Sequence, residues 1–91
     1  MSAFVWTETT ADWGRPNPYR RHSGWCEATQ TEIALERDTH VDPTDYRWLV
    51  GIRHQTGSFV LPGGDLPDDE AKRLAPAHLA SVLRRLLEAL S

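Results

Sequence analysis

Tyr46-Arg47-Trp48-Leu49-Val50-Gly51-Ile52-Arg53-His54 alternates with a period of two. Tyr46, Trp48, Val50, Ile52 and His54 fall on one side, and Arg47, Leu49, Gly51 and Arg53 on the other. Side chains of a strand point alternately to opposite faces, so this stretch predicts a half-buried β-strand. Phe59-Val60-Leu61 follows within strand-pairing distance, and Thr56-Gly57 supplies a two-residue turn. That turn sets Ile52 opposite Leu61 and His54 opposite Phe59. Both apolar sets then share one face, as a productive register requires.

Working downstream, Pro62-Gly63-Gly64-Asp65 closes the second strand. Pro67 suits the first turn of a helix, and Asp68, Asp69 and Glu70 complement its positive end. A helical region over residues 67–90 follows. Pro76 lacks an N–H for the helical ladder, so the region is expected to kink or split there. Beyond it, Leu79, Val82, Leu83, Leu86, Leu87 and Leu90 form an apolar stripe, and His78, Ser81, Arg84, Arg85 and Glu88 face away. Leu79, Leu83, Leu86 and Leu90 are expected to be mostly buried as the cover of the sheet.

Working upstream, Asp38 to Asp45 is an acidic loop containing Pro43. Trp25 to Arg37 reads as a strand, best over Thr31–Arg37, where Ile33 and Leu35 oppose Glu32 and Glu36. A helix competes there, because Glu, Ala and Leu are helix formers. Residues 12–24 are rich in Pro, Gly and Arg and predict a loop without regular structure. Ala3 to Thr7 is rich in β-formers and predicts a short edge strand. The expected fold is α+β: an antiparallel meander of three or four strands, covered on one face by a C-terminal helix.

The 91 residues suit a single small domain, 1–91. Hydrophobic residues make up 40% and charged residues 25%, which argues against wholesale disorder. The longest apolar run is Ala3 to Trp6, far short of the about 20 residues a bilayer span needs. Cys26 is the only cysteine, so no intrachain disulfide forms. The first residues have no basic segment leading into a long apolar one, unlike a secretion signal, and a cytoplasmic address is expected. Net charge is −3, which excludes a globally basic nucleic-acid binder. It hides blocks of opposite sign, +3 over residues 13–26 and −5 over 27–45.

The first candidate site is the basic aromatic loop 13–25. Trp13, Arg15, Tyr19, Arg20, Arg21 and Trp25 combine guanidinium forks with flat rings and no acid. Such groups pair with phosphate oxygens and stack on bases. The competing reading has the rings pin the loop while the arginines pair with the acidic stretch 27–45. Arg84 and Arg85, on the outer helix face, join the candidates. His22-x3-Cys26 has usable metal-ligand spacing, with His40 or His54 to complete a site, but the lone cysteine and scattered histidines favour no metal. His54 is expected on the apolar face of the hairpin, partly buried. Cys26 reads as a small buried hydrophobe rather than a nucleophile.

Residues 57–70 carry a further signal. The strand ending in Leu61-Pro62-Gly63-Gly64, with Glu70 six residues after Gly64, resembles the start of the Nudix hydrolase box. In that family the box continues with an Arg-Glu pair and further glutamates that hold magnesium against a diphosphate. This chain has His78-Leu79 and Val82-Leu83 at those places. The resemblance implies a metal-dependent diphosphate hydrolase, and the departure removes the paired carboxylates. Asp65, Asp68, Asp69 and Glu70 are the carboxylates left to such a role.

No triad or intact nucleotide motif is present. The leading expectation is a small non-enzymatic interaction protein without a cofactor, forming a homodimer. Leu49 and Val60 lie on the second face of the sheet, and one helix covers only the first. The opposed charge blocks suit a reciprocal contact between two copies. A nucleic-acid-binding regulator using residues 13–25 is the alternative, and a Nudix-like hydrolase the third. No membrane partner is expected.

Overall fold

The computed structural model describes residues 3–9 and 19–91. Trp13 and Arg15 lie outside the described residues. The elements are β1 (Val5–Glu8), β2 (Arg21–Cys26), β3 (Thr31–Asp38), a 3-10 turn (Pro43–Asp45), β4 (Arg47–Ile52), β5 (Phe59–Leu61) and α1 (Asp68–Leu90). The strands form one antiparallel meander in the order β1-β2-β3-β4-β5, and α1 packs on β3, β4 and β5. The α+β expectation holds, with five strands rather than three or four.

The extra strand is β2, which the sequence reading divided between a loop and a single strand over 25–37. Residues 27–30 form a turn instead. Gln30 takes a positive φ of 52°, and its N–H and side-chain amide both donate to the Glu27 carbonyl. Gly24, which resembles loop composition, is a packing glycine. A Cβ there would meet Ile33 and the Trp6 ring at 3.1 Å. The lack of a side chain lets β1 and β3 close over β2.

The β4–β5 hairpin keeps its faces but not its expected register. Trp48 pairs with Leu61, Leu49 with Val60 and Val50 with Phe59. Residues 53–58 form the connection, rather than Thr56-Gly57 alone. The Thr56 hydroxyl accepts from the Ile52 N–H at 2.8 Å, and the Gln55 and Thr56 N–H groups both donate to the Ile52 carbonyl. The chain folds back over Gly51, where a Cβ would lie 2.6 Å from the Gly57 carbonyl oxygen. The slip is an even number of residues, so every side chain stays on its predicted face. His54 leaves that face. It is exposed in the connection with φ 63°.

The core comprises Ile33, Leu35, Trp48, Val50 and Leu61 from the sheet against Ala71, Ala75 and Leu79 of α1. The two alanines let the helix axis approach the sheet closely. The helix is continuous over 23 residues with Pro76 inside it, so the expected split does not occur. Pro76 leaves only the Lys72 carbonyl without its helical donor. Ala75 and Leu79, on either side of it, bury against the same sheet, and a break would pull one of them out. Pro67 precedes the helix as its cap rather than lying in its first turn.

The apolar stripe is only partly used. Leu79 is buried and Leu83 is half-buried against the core, but Leu86 and Leu90 are exposed, against expectation. The helix outruns the sheet: 23 residues span about 34 Å at 1.5 Å each. The molecule is accordingly elongated, 47 × 28 × 24 Å. No helix among the described residues is long and apolar enough to cross a membrane.

Candidate functional site

The predicted binding residues do not converge. Strand alternation puts Arg21 and Trp25 on the sheet face opposite α1, while His22 and Cys26 turn inward. Arg84 and Arg85 are exposed on the far half of α1, beyond the other face. Arg21 Nε lies 3.4 Å from the Glu36 carboxylate, directly opposite it on β3. Tyr19 contacts the same two side chains, and burial together with Glu36 pushes its hydroxyl above the ordinary tyrosine range. Arg20 donates to the Tyr19 carbonyl at 3.0 Å. The Trp25 indole N–H donates to Glu27 at 2.7 Å. The competing reading of this segment therefore describes Arg21, which pairs with the acidic stretch of its own chain.

The acidic segment before and at the start of α1 is likewise engaged. Arg37 forks onto Asp65 through two bonds of 2.7 and 2.6 Å, and its guanidinium lies 4.8 Å over the Tyr46 ring. The guanidinium holds the Asp65 carboxyl below the ordinary range. Asp68 accepts from the His22 ring at 2.8 Å, Asp69 faces Lys72, and Glu70 pairs with Arg73. Each carboxylate that the Nudix resemblance left for a metal thus has a basic neighbour. Gly63 and Gly64 have φ of 110° and 70°, which side chains rarely adopt, and this turn sets the helix start against the sheet.

Three bonds then tie that segment down: Arg37 to Asp65, the Trp48 indole N–H to the Leu66 carbonyl at 2.8 Å, and His22 to Asp68. Sequence reading missed them all. Its one usable sign was the alternation of His22, Gly24 and Cys26, which marks His22 as inward-facing. Among the described residues no three His, Cys, Asp or Glu side chains gather as a metal site. His22 and Cys26 sit roughly 13 Å apart along one strand, and His40 and His54 are exposed in separate connections. The Cys26 thiol is buried and is held below its ordinary range chiefly by a hydrogen bond with the Thr29 side chain.

One feature has no counterpart among the described residues. Leu86, Leu87 and Leu90 are 50%, 68% and 77% exposed. At 3.6 residues per turn, Leu83, Leu86, Leu87 and Leu90 lie within an arc of about 100°. The arc continues the buried line from Ala75 and Leu79 past the edge of the sheet. Arg84, Arg85 and Glu88 keep the opposite side polar. Removing such a surface from water yields roughly 25 cal/mol per Å² of apolar area.

Searches against protein-family models, curated proteins and solved structures find no match to this chain.

Proposed function

We propose that this is a small non-enzymatic interaction protein that forms a homodimer through the distal half of α1. The exposure of Leu86, Leu87 and Leu90, on a stripe whose first half is core, is the observation that carries this reading. A second copy suits the leucine spacing. With two antiparallel helices related by a twofold axis midway between Leu86 and Leu87, Leu83 faces the partner's Leu90, and Leu86 faces the partner's Leu87. Each contact then occurs twice, as an isologous interface requires. A nucleic-acid surface has less support, because Arg21 faces Glu36 and Trp25 faces Glu27.

Sedimentation equilibrium across the micromolar range tests the proposal. The expected species has twice the 10.3 kDa chain mass. The double variant Leu87→Asp/Leu90→Asp should be monomeric with an unchanged far-ultraviolet spectrum, since neither side chain belongs to the core. A monomer at every concentration of the unaltered protein would overturn the reading, as would a dimer that survives both substitutions.

A further inference from the structure

The last turn of α1 is electrostatically incomplete. A helix ends with carbonyl oxygens that have no intrahelical donor, and together they carry partial negative charge. Cations are favoured near that end, but the last turn of α1 has no basic residue. Ser91 gives both its N–H and its hydroxyl to the Glu88 carbonyl. One turn earlier the helix has the opposite surplus. Arg84 and Arg85 are exposed, and among the described arginines and lysine they are the two with no hydrogen bond, ion pair or ring contact.

The two arginines are placed differently around the helix. At about 100° per residue, Arg84 lies about 60° past Leu87, the leucine at one edge of the exposed arc, and Arg85 lies about 100° past Leu86 at the other edge. Arg84 therefore flanks the leucines, and Arg85 points away from them. In the antiparallel pairing Leu83 faces the partner's Leu90, so Arg84, one residue on, lies level with the partner's Ala89. Helical side chains lean towards the N-terminus of their own helix. The Arg84 side chain thus leans past the partner's Ala89 towards the terminal carbonyls, and the twofold axis makes this contact twice. In a parallel pair Arg84 would lie level with the partner's Arg84 and lean away from those carbonyls.

We propose that Arg84 of each copy hydrogen-bonds the last-turn carbonyls of the partner's α1 and thereby selects the antiparallel dimer. This role of Arg84 rests on the homodimer reading and names the residue that orients it. A guanidinium suits the task, because its stem can lie along Leu87 while its fork spans neighbouring carbonyl oxygens. The contact is with neutral carbonyls and is small beside the burial of four leucines from each copy. Added salt therefore acts on the dimer chiefly through the leucines.

Sedimentation equilibrium of Arg84→Glu and Arg85→Glu beside the unaltered protein tests this role. The two variants have the same composition and net charge, and they alter the same turn of their own helix. A cation at a helix end contributes about two- to fivefold in an equilibrium constant, and here it acts twice per dimer. Reversal at Arg84 should therefore weaken the dimer at least about tenfold, whereas reversal at Arg85 should leave the dissociation constant within about threefold. Arg84→Lys keeps the cation and should also stay within about threefold. All three variants should keep the far-ultraviolet spectrum, since neither arginine belongs to the core. Equal dissociation constants in the two reversal variants would overturn the role of Arg84 and leave the leucine dimer standing. So would Arg84→Lys dimerising as weakly as Arg84→Glu. A monomeric unaltered protein would remove the homodimer reading, and the role of Arg84 with it.

Discussion

His22 is 2% exposed and sits between the Trp48 ring, 5.9 Å away by centroid, and the Asp68 carboxylate. A buried ring nitrogen needs a partner, and Asp68 provides it from the first turn of α1. Asp68→Ala should therefore cost about 1–3 kcal/mol for the orphaned imidazole. It should also lose the few tenths of a kcal/mol or more that an acid contributes at a helix start. Asp69→Ala loses that second part and an exposed pair with Lys72 worth about 0.2–0.5 kcal/mol, since Asp69 lies in the same turn with its side chain in solvent. Chemical denaturation of the two variants separates the contributions, and equal losses would show that the His22 contact stabilises nothing. A sequence shows an inward-facing His22 through the alternation of β2. It cannot show a partner 46 residues away, because that pairing exists only once α1 lies on the sheet.

Acid sensitivity belongs to the same scale. Arg37 lowers the Asp65 carboxyl and Arg53 lowers that of Glu32, each chiefly through a hydrogen bond. A carboxyl whose folded pKa lies below its unfolded value makes the unfolded chain bind more protons between the two. Its stabilisation is fully present above the unfolded value, about 4 for Asp and Glu, and is lost as pH falls through the folded one. Melting temperature should accordingly be flat from pH 7 to 5 with respect to these two groups and should fall below that. Asp65→Asn should flatten part of the acid limb while lowering stability at neutral pH. An unchanged acid limb in Asp65→Asn would remove the Arg37 fork as a cause.

Among the elements, α1 shows how far periodicity can be trusted. The stripe from Leu79 to Leu90 is correctly helical, but periodicity reports a face and not what the face meets. The sheet ends before the helix does, and that follows from the length of the connection and the short β5, not from any leucine. The cost of truncation should decline along the stripe. Leu79→Ala should lose about 2–5 kcal/mol, as a buried leucine does. Leu83→Ala should lose less, and Leu86→Ala should stay within about 0.5 kcal/mol in the monomer, as exposed positions do. Urea unfolding at concentrations below any association measures all three, and equal costs would contradict the gradient. The hairpin makes the complementary case. Its faces were legible because alternation survives any even slip, whereas its register depended on a backbone turn at Ile52–Thr56 that composition does not specify.

For the whole molecule, the sequence shows charge in blocks, and the fold turns those blocks into cross-strand pairs. Arg21 faces Glu36, Arg53 faces Glu32 and Arg47 faces Asp38, all on the sheet face opposite α1. The acidic block 27–45 is thereby matched within the chain by arginines before and after it, with less charge left to draw a second copy. The proposed contact through Leu86, Leu87 and Leu90 is instead apolar, and the two origins respond differently to salt. Screening shortens the Debye length from about 10 Å at 0.1 M to about 3 Å at 1 M, which weakens attraction between exposed charges. Burial of apolar surface is not weakened in this way, and sulfate strengthens it. Sedimentation equilibrium at the two ionic strengths, using sodium sulfate for the higher, should give a dissociation constant that is unchanged or smaller at the higher one. A dimer that dissociates as salt rises would place the interface on the charged sheet face, and the leucines would then require a different explanation.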